Sequence, residues 1–294
     1  MDADNSSTSA IRARYKYFRV LVIGRANAGK TTLLKRVCNT LEEPCIYDEE
    51  NKNLLDPTSD RGIHDIKRPF VFASNPQFIF HDSPGFEQGG EKELKDVQQF
   101  IEKKGKATEV DDQLHAIWFC VVTDSSRPLL ELEKRFFNEK RYGDVPVIAI
   151  LTKFDDFIIQ VAGKVKRHER EEKAMKELKE KFETPLNSFQ FPPKAMLLLK
   201  GMQKDNGGHQ EQVKELIEKT ADSLHDLALE LLFVSVQQNN MELCIKCAIK
   251  YNKISEFKME RNQFCLQWFN HAYIVSITIK AQRDKRFSIY RSIM

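Results

Sequence analysis

The stretch Tyr17–Ile23, YFRVLVI, runs directly into Gly24–Thr32, GRANAGKTT, and this junction decides how the chain folds. The first part is short, apolar and β-branched, and a glycine ends it, which reads as a buried strand. From Lys30, KTTLLKRVCNTL sets its apolar residues at helical spacing. Strand, glycine loop and helix in that order are the context a phosphate-binding loop needs. In Gly24-x-x-x-x-Gly29-Lys30-Thr31 the backbone N–H groups around Asn27, Ala28 and Gly29 would wrap phosphates, helped by the positive end of the helix. Glycine lets the backbone come close without a clashing side chain. Lys30 would reach the β- and γ-phosphates, Thr31 would give its hydroxyl to Mg²⁺, and Thr32 would meet the α-phosphate.

Downstream, apolar strands alternate with amphipathic stretches. IKRPFVFASNPQFIFHD (66–82) predicts two strands joined at the turn dipeptide Asn75-Pro76. A helix follows over about Glu91 to Lys104. LHAIWFCVV is a third buried run, and RPLLELEKRFFNEK is a helix with Pro128 near its start. VPVIAILTKFDD is a strand ending in polar residues. The charged segment from Phe157 to Phe182 mixes both signs at helical spacing and reads as a solvated helix with i,i+4 pairs rather than a partner-binding one. QFPPKAMLLLKGM (190–202) fits an edge strand or a short helix. EQVKELIEKTADSLHDLALELL (211–232) is an amphipathic helix, LFVSVQ (232–237) a last strand, and Asn239 and Asn240 suit the cap of a final helix. Residues from about Glu42 to Arg61 lack periodicity and read as a mobile loop.

The expected fold is therefore α/β: a three-layer domain with a mostly parallel six-stranded sheet, one antiparallel strand, and helices on both faces. Residues 1–16 read as a polar, disordered lead, 17–252 as the domain with a charged helical insertion at about 157–210, and 253–294 as an extension. In such sheets ligands sit at the carboxyl ends of the strands, so polar motifs should follow the predicted strands.

They do. After the third strand, HDSPG offers Asp82, which could hold a metal through water, and Gly85, whose N–H could meet a γ-phosphate. After the fifth, Thr152, Lys153 and Asp155 form TKFD. Asp155 could accept from the ring N–H and the exocyclic amine of guanine, where adenine offers an acceptor and no amine, and the lysine stem could cover one face of the base. After the sixth, Ser235 and Val236 fall where backbone could contact the guanine oxygen.

This set, GRANAGKT, DSPG, TKFD and SVQ, resembles the translation-factor-related class of P-loop GTPases, which includes Ras, Era, septins and the GIMAP proteins. The resemblance covers about Tyr17 to Asn252. The loop is most similar to the Era-like pattern through Arg25 and Asn27, and the longer run resembles a broad group of fungal G domain-containing proteins. It implies GTP and GDP as ligands, Mg²⁺, and a switch threonine between Lys30 and Asp82. In DPTSDRG that is Thr58, preferred over Ser59, closing the Mg²⁺ shell with triphosphate bound. Lys30 and Thr58 would then be the catalytic pair, and Thr31, Thr58 and Asp82 the metal set. Ras-like enzymes follow this glycine with a glutamine that orients the attacking water; here Phe86 stands there, with Glu87 next. The implication is slow hydrolysis, stimulated by dimerisation through the nucleotide face or by an effector or activating partner. In cation-activated relatives an asparagine at the place of Asn27 helps hold K⁺; the plainer reading is a hydrogen bond within its loop. A binding module without turnover is the alternative to a switch, and an ATPase or kinase is a third reading that TKFD disfavours.

Bulk properties set limits. The chain has 294 residues, 41% hydrophobic and 30% charged, enough apolar material for a core. A net charge of +3 gives no global push toward nucleic acid or a membrane. No secretory signal precedes the six cysteines, so a reduced, cytoplasmic protein is expected. Cys244 and Cys247 have redox or zinc spacing but no second pair, and one helical face is the better reading. No run reaches the roughly 20 apolar residues of a membrane span. The aromatic, basic tail after Lys253 could lie on a membrane surface, though packing on the domain fits its lack of a clean period as well.

Overall fold

The computed structural model describes residues 16–47, 66–83, 85, 91–139, 144–163, 166–205, 208–224, 229–230 and 233. Its centre is β1, Phe18–Gly24, in which every residue except Arg19 is buried. The two alternating sets of β1 side chains enter two different cores. Phe18, Val20 and Val22 face a cluster with Trp118, Leu33, Leu34, Leu216 and Ile217. Leu21 and Ile23 face a second cluster with Phe119, Phe136, Phe137, Phe157 and Phe182. A strand buried on both faces needs an unbroken apolar run, which VLVI supplies.

Among the described residues, seven strands form one sheet in the order β2-β3-β4-β1-β5-β6-β7. They are β2 (Cys45–Ile46), β3 (Phe70–Phe72), β4 (Asn75–Asp82), β5 (Ala116–Val122), β6 (Val147–Thr152) and β7 (Ala195–Leu198), besides β1. Only β3 runs against its neighbours; the β4-β1-β5-β6-β7 block is parallel. Helices α1 (Lys30–Val37) and α7 (Gln210–Asp222) pack on one face. Helices α2 (Glu91–Gly105), α3 (Glu131–Asn138), α4 (Phe154–Ala162), α5 (Arg170–Leu178) and α6 (Thr184–Ser188) lie on the other. A π-type turn over Lys179–Glu183 joins the last two. Three layers, one reversed strand and a mostly parallel sheet are the α/β fold that the sequence predicts, with one strand more.

The differences have physical reasons. The β3–β4 turn is Ala73–Ser74, with Phe72 opposite Asn75, so Asn75-Pro76 opens β4 instead of forming the turn. A proline is tolerated at the start of a strand. Helix α3 starts at Glu131, later than Pro128 suggests, because Glu133 accepts the Leu130 N–H at 2.8 Å and fixes the first turn there. Cys45–Ile46 adds a short edge strand within the stretch expected to be loop. The charged segment is not solvated all round: Ala174, Leu178, Phe182 and Leu186 are fully buried in the second core. Within 157–210 lies β7, which pairs with β6 from Ile148↔Ala195 to Leu151↔Leu198. Helix α7 stops at Asp222, where the Ser223 and Leu224 N–H groups turn back to Thr220 and Ala221. Phe233, the one described residue of the strand expected over 232–237, lies in a helical segment and packs its ring 4.5 Å from that of Phe18. The stretches 1–15 and 234–294 lie outside the described residues.

Candidate functional site

The carboxyl ends of β1, β4, β6 and β7 converge on one rim, where the strand order reverses around β1. At the first of these ends, Gly24 is needed for packing. A Cβ on it would stand 2.5 Å from the Cys120 carbonyl oxygen of β5. Gly29 is needed for conformation: its φ of 82° is left-handed, nothing lies within 4 Å of its missing Cβ, and it caps α1. Asn27 is left-handed as well, with φ 58°, a region asparagine tolerates better than most residues. The loop is closed by the Ala28 N–H to Arg25 carbonyl bond at 3.2 Å, and α1 begins with the Leu33 N–H to Gly29 carbonyl bond at 2.9 Å. Thr31 is exposed and Thr32 half-buried on the first turn. The first N–H groups of any helix have no intrahelical partner, so this turn presents donors.

Lys30 is buried and crosses the loop. Its Nζ donates to the carbonyls of Gly24 at 3.1 Å and Arg25 at 3.3 Å, and lies 3.7 Å from Asp82 Oδ1. Asp82 ends β4 beside Val22 of β1, and the Ser83 N–H continues the ladder to the Val22 carbonyl. Gly85 follows against the phosphate loop: a Cβ there would sit 2.7 Å from the Ala26 nitrogen. Lys30, Asp82 and Gly85 are thus brought together.

Arg25 turns away from this rim. Its Nε and Nη2 donate to the two carboxylate oxygens of Glu133 at 2.8 and 2.7 Å, and its Nη1 and Nη2 reach the carbonyls of Arg127 and Pro128. Glu133 is fully buried and Arg25 nearly so. A bidentate ion pair therefore bolts the loop to α3. Glu133 could not be singled out from sequence, because nothing local links residues 108 positions apart.

At the β6 end, Lys153 takes a left-handed conformation (φ 61°) and caps α4, so the chain turns abruptly from strand to helix within TKFD. Thr152 serves the scaffold: its carbonyl accepts from both the N–H and the hydroxyl of Thr123. Asp155 Oδ1 accepts the Gly201 N–H at 3.2 Å and Oδ2 accepts the Gln203 amide at 2.9 Å. Partial burial pushes the Asp155 carboxyl up, but the bonds from Gln203, the Gly201 N–H and its own N–H, with the charge of Lys204, together outweigh this and hold it below the ordinary carboxylate value. A cavity of about 310 Å³ joins this carboxylate to Ala28, Gly29 and Thr32 of the phosphate loop. Thr152, Lys153, Leu199, Gly201, Met202 and Gln203 also line it.

The strand beside β6 is β7, so the segment that meets this cavity is Leu199–Gln203. The sequence reading gave that place to Ser235 and Val236, which lie outside the described residues, as do Thr58, Ser59, Phe86 and Glu87. In sequence this segment is marked only by AMLLLKGM (195–202), an apolar run closed by Lys200 and Gly201, and Gly201 takes φ 65°. A larger cavity, of about 800 Å³, opens on the α2 face between Tyr17, Arg19, His81 and Phe100, away from the strand ends that carry these motifs.

The strand order, with a glycine loop between β1 and α1 and a cavity joining that loop to Asp155, is consistent with the P-loop NTPase fold. Residues 19–153 match the model of the 50S ribosome-binding GTPase family. The chain is also similar to GTPase Der of Campylobacter concisus (strain 13826), at 26% identity over 168 residues, 57% of this chain and 30% of that protein. It thus spans less than a third of that relative's length. Both likenesses support a P-loop GTPase G domain over the matched part.

Proposed function

We propose that the protein binds GTP and GDP and hydrolyses GTP slowly as a Mg²⁺-dependent molecular switch. One observation carries the choice of base: Asp155 holds a carboxylate at one end of a cavity whose other end is the phosphate loop. Guanine offers two N–H donors on one edge to such a group; adenine offers none at the matching ring nitrogen. Lys153 would cover the base with its stem. Backbone N–H groups around Asn27, Ala28 and Gly29 would hold the phosphates, and Lys30 would exchange its loop carbonyls for phosphate oxygens. Gly85, pressed against Ala26, would offer its N–H to the γ-phosphate.

The donor set fits a Mg²⁺ ion shared with the nucleotide. Thr31 supplies a hydroxyl and Asp82 a carboxylate at neighbouring strand and helix ends, and Mg²⁺ ordinarily takes one or two such groups with phosphate oxygens and water. When bound, the ion would neutralise charge on the bridging and terminal phosphate oxygens. Thr58 is proposed to complete this shell with triphosphate. Among the described residues no three His, Cys, Asp or Glu side chains gather to hold a metal.

Phe86 can neither donate to nor accept from an attacking water, which favours a slow intrinsic rate and a partner, or a second copy across the nucleotide face, to supply what is missing. It also favours the second reading, a GTP-binding interaction module without turnover. Single-turnover phosphate release separates the two: release that is slow in the wild type and lost in Lys30→Ala supports the switch, and equal release by both proteins refutes it. Asn27 is proposed to help hold K⁺ beside the phosphates; equal rates in KCl and NaCl at matched ionic strength would discard that. No described helix is long and apolar enough to cross a membrane.

A further inference from the structure

We infer that Gln203, which belongs to none of the motifs read from the sequence, is the positioning residue that orients Asp155 and so sets how strictly the site selects guanine. The inference rests on the proposed nucleotide reading. An aspartate has two side-chain torsions to fix before both its oxygens can face the donors of one base edge. Here the two oxygens are held separately: Oδ1 by the Gly201 N–H and Oδ2 by the Gln203 amide. Each carboxylate oxygen has two lone pairs, so one stays available on each for an incoming N–H. The Gly201 bond comes from the backbone and no side-chain change removes it. The Gln203 bond fixes the other oxygen.

The turn carrying Gln203 is itself anchored. Gly201 takes φ 65° and its carbonyl accepts the Lys204 N–H at 2.9 Å. Arg36 of α1 reaches across to the Met202 carbonyl at 3.0 Å and to Asp205 at 2.7 Å. The Leu199 carbonyl takes the Phe154 N–H at 3.1 Å, beside Asp155. One side of this clamp is therefore tied to the helix that starts at the phosphate loop and the other to the start of α4. In this arrangement the base end and the phosphate end share a frame, and Gln203 is the adjustable contact within it.

The test compares Gln203→Met, which keeps length and packing but removes the donor, with the wild type. Fluorescent GDP displacement gives affinities for GDP, for inosine diphosphate, which lacks the exocyclic amine, and for ADP. Gln203→Met should bind GDP about five- to tenfold more weakly, as loss of one partly exposed charge-assisted hydrogen bond implies. Its preference for GDP over inosine diphosphate should shrink several-fold while ADP binding stays put. Gln203→Glu, which sets a second carboxylate beside Asp155, should be weaker still for GDP. A general loosening of the fold would weaken GDP and inosine diphosphate alike and leave their ratio unchanged. An unchanged ratio, or GDP binding equal to or tighter than the wild type, would overturn the inference. If the wild type itself fails to prefer GDP over ADP, the nucleotide reading and the inference fall together; if it prefers GDP and Gln203→Met does not differ, only the inference falls.

Discussion

Replacing Glu133 with alanine should expose how strongly the phosphate loop depends on α3. In the folded protein Arg25 is 7% exposed and Glu133 is 0% exposed. Three donors converge on that carboxylate: Arg25 Nε, Arg25 Nη2 and the Leu130 N–H, all at 2.7–2.8 Å. Glu133→Ala leaves Arg25 buried with only the Arg127 and Pro128 carbonyls for company. Breaking a buried pair this way costs about 3–5 kcal/mol, most of it from the stranded charge. At a urea slope of about 2 kcal/mol/M, a loss of about 4 kcal/mol moves the unfolding midpoint down by about 2 M. Because the same arginine fixes the loop between β1 and α1, GDP affinity should fall as well. The stranded charge can be removed by combining Arg25→Met with Glu133→Leu. The double variant should recover much of the loss, with a coupling energy of about 2–3 kcal/mol in the cycle. Urea unfolding of the four proteins, followed by tryptophan fluorescence, decides it, since Trp118 is fully buried. A Glu133→Ala midpoint within 0.5 M of the wild type, roughly 1 kcal/mol on the same slope, would refute the reasoning.

Acid should destabilise the fold through two histidines. Burial pushes His81 down to about 3 and His115 down to about 4, whereas both titrate near 6.5 when unfolded. The unfolded chain therefore takes up protons first, and stability present above 6.5 is lost as pH falls toward those values, by about 2 kcal/mol per histidine between pH 7 and 5. Both His115 nitrogens are engaged, Nδ1 accepting from Arg19 N–H and Nε2 facing the Val110 carbonyl, so protonation costs a bond too. A flat urea midpoint between pH 6.5 and 5 would contradict this. Gly24→Ala forces a Cβ to 2.5 Å from the Cys120 oxygen and should cost about 1–3 kcal/mol by overpacking, read as a lower melting temperature. Gly85→Ala instead pushes the segment after β4 off Ala26, and should weaken GTP binding about tenfold by misplacing its contacts while leaving the melting temperature near the wild type. Equal GTP affinity would show that Gly85 is not close to the ligand.

What the sequence made legible was local. YFRVLVI is apolar without interruption because β1 is covered on both faces, and GRANAGKTT follows it at a distance that fixes strand, turn and helix together. TKFD was readable for the same reason: an apolar run ends and a helix starts within a few residues. Two kinds of feature were not readable. Short apolar runs do not reveal their own secondary structure. AMLL, without a β-branched residue, is the strand at the sheet edge, whereas LFVSVQ, which looks like a strand, contains Phe233 in a helical segment against Phe18 and Phe78. Leu199, Gly201, Met202 and Gln203, which follow AMLL, line the cavity beside Asp155, while Ser235 and Val236 lie outside the described residues. The other kind is long-range. The Arg25–Glu133 and Asp155–Gln203 contacts join residues 108 and 48 positions apart, and the second partner of each, Glu133 or Gln203, looks in sequence like an ordinary polar surface residue. Charge in the helical segment after Phe157 likewise hid the buried face of Ala174, Leu178 and Phe182.

The central claim is that one site joins a phosphate loop to a guanine-selecting carboxylate. Equilibrium competition of GTP, GDP, ATP and ADP for fluorescent GDP, in Mg²⁺, tests it in a single experiment on the wild type, Lys30→Ala and Asp155→Ala. The expected result is displacement by GTP and GDP at concentrations at least about a hundredfold lower than ATP or ADP require, since two hydrogen bonds to a carboxylate, at about 1.5–3 kcal/mol each, allow that much discrimination. Lys30→Ala should lose affinity for both guanine nucleotides, and Asp155→Ala should lose the discrimination between bases. ATP displacing the probe as well as GTP does, or a wild type indistinguishable from Asp155→Ala, would contradict the account.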